Sequence, residues 1–344
     1  MGLPVALEAL NERELKVLEA IVQSYVVTAE PVGSRVLARR FGLGVSAATI
    51  RNAMSDLEEK GYLFHPHTSS GRVPTDRAYR LYVDALMGAV KLTREERETI
   101  RDGLSHGSAV TEILRRAAEV LGVLTSELGV AVSPSFDNAI LERLDLVAIS
   151  NERLLLVLTL ESGDVRTIFV QVPGSLHPEA IASITLVLND RLAGHTLRDI
   201  RLTLADRLRD SATTPAESEL LDIFLATGEK IFDLKADGVV LGHTSVLADQ
   251  PEFAGERMRS LIELTEQREV LHRVLGQRAL AGSLTITIGG ENEPQLANLT
   301  LVTSPYRAGP LTGVIGVLGP TRMPYEKIVA LVEHTSKMVG DLLR

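Results

Sequence analysis

Apolar residues recur at helical spacing over the first ninety positions of the chain, then change to the alternation of strands beyond residue 140. Asn11 with Glu14 three positions later has the form of a capping box, and Leu15, Leu18, Val22 and Tyr25 follow on one helical face until Glu30-Pro31 stops it. Ser34 is placed to cap a second, short helix with Val36, Leu37 and Phe41 inward, ended by the glycine turn Phe41-Gly42-Leu43-Gly44. Ser46 caps a third helix, whose apolar stripe is Ile50, Met54 and Leu57 and which stops at Lys60-Gly61. A short helix, a glycine-containing turn and another helix make a helix-turn-helix pattern. Positions 62–65 and 72–74 read as two short strands around the polar loop 66–71, a hairpin in the place of a wing. Thr75 then caps a further helix through Tyr79, Tyr82, Val83 and Leu86.

Residues 91–135 read as a charged, helical connecting segment with Leu104, Ile113, Leu114, Ala117, Leu121 and Leu124 as contact positions. Strands are expected at 144–149, 154–160 and 166–172, and again only at 284–288, 299–303 and 313–318, before a final helix over 325–343. Between the two strand groups lie mostly helical residues, including 178–192, 217–232 and 256–275. The simplest account is an α+β multidomain chain. A winged helix-turn-helix occupies 1–90, and an α+β domain is assembled from 91–175 and 283–344, its sheet split in sequence by a mostly helical insertion at 176–282.

Composition narrows this further. The 344 residues suggest two or three domains, and 45% apolar content is enough to bury sizeable cores. With no Cys, disulfides, thiolate metal sites and thiol nucleophiles are excluded. The most apolar run, near 154–160, is far short of the ~18 to 20 residues of a spanning helix, and Met1-Gly-Leu-Pro does not begin a signal peptide; a soluble cytoplasmic protein is the expectation. The net charge of −9 argues against nucleic acid until it is divided along the chain. Residues 1–90 are neutral, and 31–80 hold eight basic residues (Arg35, Arg39, Arg40, Arg51, Lys60, Arg72, Arg77, Arg80) against four acidic ones, a local +4.

The third helix offers the most chemistry. With Ile50, Met54 and Leu57 toward the core, Ala47, Ala48, Arg51, Asn52 and Ser55 lie toward the opposite side. Small Ala47 and Ala48 allow close approach to a base edge or a thymine methyl, Asn52 suits an adenine edge, and Arg51 a guanine edge or a phosphate. Ser46 and Thr49, at the helix N-terminus, suit phosphate. In the hairpin, His67, Thr68 and Arg72 are placed for a minor groove or the sugar-phosphate backbone. An isolated helix of this kind is ordinarily just a solvated face, but its place between a helix-turn and a hairpin reverses that reading. For His65, His67, Arg77 and Arg80, phosphate contact and plain solvation stay open.

Other patterns carry less. Gly42-Leu43-Gly44-Val45-Ser46-Ala47 matches a dinucleotide-binding fingerprint, yet the polar helix end before it replaces the buried strand that fingerprint needs. The eight histidines are scattered without metal-ligand spacing, so neither a metal nor a cofactor is expected. The acidic run 289–293 reads as a solvated turn. Arg322, in Gly319-Pro320-Thr321-Arg322, is read as holding a loop by hydrogen bonds, with anion binding as the other use.

Long motifs at both ends of the chain resemble one family. Ser46-Ala-Ala-Thr-Ile-Arg-Asn-Ala-Met-Ser-Asp-Leu-Glu-Glu-Lys-Gly-Tyr-Leu63, then Pro66-His-Thr-Ser-Ser-Gly-Arg-Val-Pro-Thr-Asp-Arg-Ala-Tyr-Arg-Leu-Tyr-Val-Asp84, and Gly313-Val-Ile-Gly-Val-Leu-Gly-Pro-Thr-Arg-Met-Pro-Tyr325 are similar to the HrcA family of heat-inducible transcription repressors. Departures are small: Ser70 stands where Ala is usual and Ala78 where Gly is common. The resemblance implies a cytoplasmic homodimer with a winged-helix DNA-binding domain, a GAF-like domain and an inserted dimerisation domain. It also implies an inverted-repeat operator of double-stranded DNA upstream of chaperone operons, and a chaperonin as modulator. The alternative is a transcriptional regulator gated by a small molecule in the GAF-like domain.

Overall fold

A computed structural model describes residues 10–67, 71–105, 110–137, 139–150, 152–161, 163–172, 177–209, 211, 214–232, 238–247, 268–279, 281–309 and 311–343. Helix α1 (Glu12–Thr28) begins with the expected capping box, Asn11 accepting from the Glu14 amide at 3.0 Å while the Glu14 carboxylate accepts from the Asn11 amide at 2.8 Å. Helix α2 (Ser34–Arg40) starts differently from expectation: Gly33 takes the cap position without a side-chain bond, and Ser34 is buried as the first helical residue. Val36, expected inward, is exposed, because a seven-residue helix has room for one buried apolar position, and Leu37 takes it. Gly42 and Gly44 then turn the chain at φ +54° and +68°, backbone that costs glycine little.

Helix α3 (Ala47–Glu59) is capped by Ser46, and strands β1 (Leu63–Phe64) and β2 (Val73–Pro74) form the antiparallel hairpin. Val32, just before α2, adds a bridge to Arg72, with N–H···O bonds of 2.8 and 2.9 Å in both directions. Helix α4 (Asp76–Leu81), capped by Thr75, runs into a π-turn over Tyr82–Leu86. Helices α5 (Arg94–Leu104) and α6 (Val110–Thr125) follow, with Leu104, Ile113, Leu114, Ala117 and Leu121 buried as expected of contact positions.

Strand β3 (Leu128–Ser135) was not expected, since its apolar residues continue the buried stripe of α6 and show no strand alternation of their own. It is followed by β4 (Leu141–Ser150), β5 (Arg153–Leu160), β6 (Val165–Gln171), α7 (Pro178–Leu192), α8 (Leu197–Leu208) and α9 (Pro215–Phe232). The chain closes with β7 (Val239–Leu241), α10 (Arg268–Ala279), β8 (Thr285–Ile288), β9 (Leu299–Ala308), β10 (Leu311–Pro320) and α11 (Tyr325–Leu342). Of the helix expected over 256–275, the part before residue 268 lies outside the described residues.

The chain is α+β and divides into two compact units. The first comprises Met1–Ala131, Val239–Pro305 and Val314–Val339; its five-stranded sheet has the order β7-β3-β10-β9-β8. The second comprises Val132–Gly238, Tyr306–Gly313 and Gly340–Arg344. Its three-stranded sheet β4-β5-β6 shares one core with α7, α8 and α9, in which Leu154, Leu156, Leu158 and Leu160 of β5 face Ile184, Leu188 and Leu192 of α7. Asn189 stitches α7 to β4, accepting from the Leu144 amide at 2.8 Å and donating to its carbonyl at 2.6 Å.

This corrects the expected sheet and boundaries. A sheet is indeed split in sequence, but its first piece is β3. Among the described residues the strands at 141–171 pair only with one another, so the excursion from the first unit runs over Val132–Gly238 and is itself α+β, whereas the sequence predicts a helical stretch at 176–282. Strand β7 and helix α10 return to the first unit. Among the described residues no helix is long and apolar enough to cross a membrane.

Candidate nucleic-acid interface

Helix α3 is amphipathic in the way its sequence demands. Ile50, Ala53, Met54 and Leu57 are buried, while Ala48, Arg51, Asn52 and Ser55, one and two turns apart, are exposed on the other side. Ala47 and Thr49 are half-buried at its start. The Ser46 hydroxyl is partly committed, since its oxygen accepts from the Thr49 amide at 3.1 Å and it lies 3.0 Å from the Thr49 hydroxyl. Arg51 and Asn52 have no hydrogen-bond or ion-pair partner among the described residues, which leaves their polar ends available to a ligand.

The opposite end of α3 is braced. Lys60, its C-cap, donates to both carboxylate oxygens of Glu14 at 2.7 and 2.8 Å, tying α3 to the first turn of α1. Burial alone would raise the Glu14 pKa, but Lys60 and the Asn11 amide outweigh it and hold the carboxyl below its ordinary value.

The hairpin departs from a freely projecting wing. Arg72 pairs with Glu58 of α3 at 2.7 Å, and only 16% of its side chain is exposed. His65 of the first hairpin arm meets the other oxygen of Glu58 at 2.5 Å. Arg72 is therefore turned inward onto α3, where the half-buried Glu58 carboxylate gives its guanidinium a charge-assisted partner. His67 is exposed. Thr68 lies outside the described residues.

The remaining cations sort by partner. Arg77 stacks on the Tyr62 ring, 4.5 Å from its centroid, and donates to the Lys60 carbonyl at 2.9 Å. Arg80 pairs with Glu291, which makes the acidic run 289–293 a docking point for α4. Arg322 donates to the Val26 carbonyl at 2.6 Å, the loop-holding use. The glycine fingerprint at 42–47 follows helix α2, where a nucleotide fold has a strand. Sequence reasoning had not singled out Arg35, Arg39 and Arg40 as site residues. All three are exposed on α2 and have no carboxylate partner among the described residues; the local basic surplus was the signal that contained them.

Residues 111–329 match the family described as HrcA protein C terminal domain. A curated protein of Chlorobium phaeovibrioides named heat-inducible transcription repressor HrcA is 39% identical over 342 residues, covering 94% of this chain and 95% of its own. One of Geobacter sulfurreducens with the same name is 37% identical, covering 97% of this chain and 98% of its own. The chain belongs to the HrcA family. It is a transcription repressor and not an enzyme. A solved structure described as a hypothetical protein shares the HrcA-family fold seen here at a TM-score of 0.58, with 22% identity over 97% of this chain and 98% of that one. The HrcA C-terminal match begins beyond α3 and the hairpin, so the N-terminal elements rest on the full-length relatives.

Proposed function

We propose that the protein represses heat-shock chaperone operons as a homodimer on an inverted-repeat operator. Each copy lays α3 in a major groove, with the hairpin acting as a wing against the flanking backbone or minor groove. Residues 10–87 are then a winged helix-turn-helix, and the five-stranded unit is the GAF-like domain. The observation that carries this reading is the exposed face of α3, where Arg51 and Asn52 stand between small Ala48 and Ser55 with no partner among the described residues. Ser46, Ala47 and Thr49 supply contacts at the helix N-terminus, His67 and Thr68 at the wing, and Arg35, Arg39 and Arg40 of α2 bind phosphates. Such a repressor works in the cytoplasm.

Dimerisation is assigned to the second unit. The outer face of its sheet carries Val147, Ile149, Val165 and Phe169, between 45% and 61% exposed, with Leu155 half-buried opposite Val147 and Phe169. An apolar face of that extent is what a second copy would cover. A chaperonin is the proposed modulator that keeps the repressor active. The test is a gel shift with the upstream region of the organism's own chaperonin operon, with and without chaperonin. Operator-selective binding that chaperonin strengthens is expected; equal binding to a scrambled duplex overturns the reading.

One observation favours a second reading, gating by a small anion. Arg278 is buried, donates to the Leu301 carbonyl at 3.3 Å, to the Thr303 hydroxyl at 3.4 Å and to Thr287, and has no carboxylate partner among the described residues. Burial pulls its pKa down to about 10, which leaves it cationic at neutral pH. A small carboxylate that raises the melting temperature of the wild type but not of Arg278→Met, and shifts operator affinity, would establish it.

A further inference from the structure

Glu58 is an acidic residue on the helix assigned to DNA, and on charge alone its removal should strengthen binding to a polyanion. The geometry points the other way. One carboxylate oxygen meets His65 at 2.5 Å and the other meets Arg72 at 2.7 Å, so a single side chain of α3 holds both arms of the hairpin. Arg72 is in turn fixed through its backbone to Val32, at 2.8 and 2.9 Å, so the clamp also reaches the segment that enters α2. The Arg72 Nε is buried with no hydrogen-bond partner among the described residues, so Glu58 supplies the counter-charge of a guanidinium that is largely out of solvent. Without that carboxylate the guanidinium gains by swinging out to water, and the second arm follows it.

We infer that Glu58 is a positioning residue for operator recognition, clamping the wing to α3 so that both reach DNA in one fixed relation. This rests on the proposed role of α3 and the hairpin. Glu58 touches no DNA in this arrangement; it acts through Arg72 and His65.

Four variants separate clamping from charge, each read by operator affinity and by hydroxyl-radical footprinting of the sequence flanking the half-site. Glu58→Ala should weaken operator binding about tenfold and lose the flanking protection, while the protection under α3 stays. Glu58→Asp keeps the charge but is one methylene too short to span both partners, and should weaken binding similarly. Glu58→Gln loses the counter-charge but keeps the length and one acceptor for Arg72, and should bind less tightly than wild type but more tightly than Glu58→Asp, with part of the flanking protection kept. Glu59→Gln, an exposed neighbour on the same helix, should bind as tightly as wild type or more tightly.

The inference is overturned if Glu58→Ala behaves like Glu59→Gln, or if Glu58→Asp binds like wild type with its flanking protection intact. If Glu58→Ala fails to fold, judged by its melting curve, the ordering of Glu58→Asp against Glu58→Gln decides. Wild type that cannot tell operator from scrambled duplex overturns the DNA reading itself, whereas selective wild type with a normal Glu58→Asp overturns only the clamp.

Discussion

Arg80 closes a two-pronged ion pair on Glu291, a residue 211 positions away, with Nε to Oε1 at 2.8 Å and Nη2 to Oε2 at 2.5 Å. Nη2 also donates to the Ile286 carbonyl at 2.7 Å, and Asp76, one turn earlier on α4, accepts from the Gly290 amide at 3.0 Å. The helix after the hairpin is thus clasped to the turn that follows β8. Arg80→Ala should destabilise the protein by about 2 kcal/mol, measured by urea unfolding, and Arg80→Lys should recover little, since an ammonium cannot serve both oxygens in this plane. Loss below about 0.5 kcal/mol would show the pair to be an ordinary surface one.

Gly289 belongs to the same clasp. It sits at φ +51°, and a Cβ there would fall 1.9 Å from the Asp76 carboxylate. Gly289→Ala should therefore cost more than the ~1 kcal/mol of a left-handed residue alone, and Asp76→Ala should restore part of the loss in the double variant. Additive melting shifts would contradict the contact.

Glu14 and Lys60 set an acid limit. The Glu14 carboxyl is held below its ordinary value near 4.5, so its contribution to stability is present above that pH and is lost as pH falls through the folded value beneath it. Wild type and Glu14→Gln should differ most in melting temperature near neutrality and converge only as pH falls through the lowered folded value. Lys60→Met, which strands a buried carboxylate, should cost about 3 kcal/mol at pH 7, and Glu14→Gln added to it should return part of that.

On the proposed interface, base readers and phosphate binders respond differently. Asn52→Ala or Arg51→Ala should each cost about 1 to 3 kcal/mol on the operator and relax preference at one base position. Arg35→Ala and Arg40→Ala should weaken all duplexes alike and reduce the salt slope by about 0.9 for each phosphate lost. Anisotropy titrations over a salt series distinguish the two patterns.

On the proposed dimer face, Phe169→Asp should give a monomer by sedimentation and lose cooperative operator binding while keeping its far-UV circular dichroism, because Phe169 is 61% exposed in the single chain. A dimer that survives Phe169→Asp together with Val147→Asp would move the interface elsewhere.

What could be read in the sequence was what is local. Caps at Asn11, Ser46 and Thr75, the glycine turn and the apolar stripe of α3 each act within a few residues, and each is present. The apolar run 154–160 marks a strand but names neither its inward leucines nor the strand alongside it, and the expectation that joins β4 to β6 to the sheet of β8 to β10 fails for that reason. The cations show the same limit. Arg51 and Arg72 look equally available on paper, and only the fold brings Glu58 and Val32 to Arg72 and Glu291 to Arg80.

The distance between Arg80 and Glu291 along the chain is also a time. At synthesis rates of roughly 5 to 20 residues per second, α4 leaves the ribosome on the order of 10 to 40 seconds before the turn that clasps it exists. Until then Tyr79 lacks the Tyr325 ring that lies 5.8 Å from it in the finished protein, and Tyr82 lacks the Glu326 carboxylate that accepts its hydroxyl. Every new copy of the repressor is therefore born with Tyr79 and Tyr82 still waiting for the last helix of the chain.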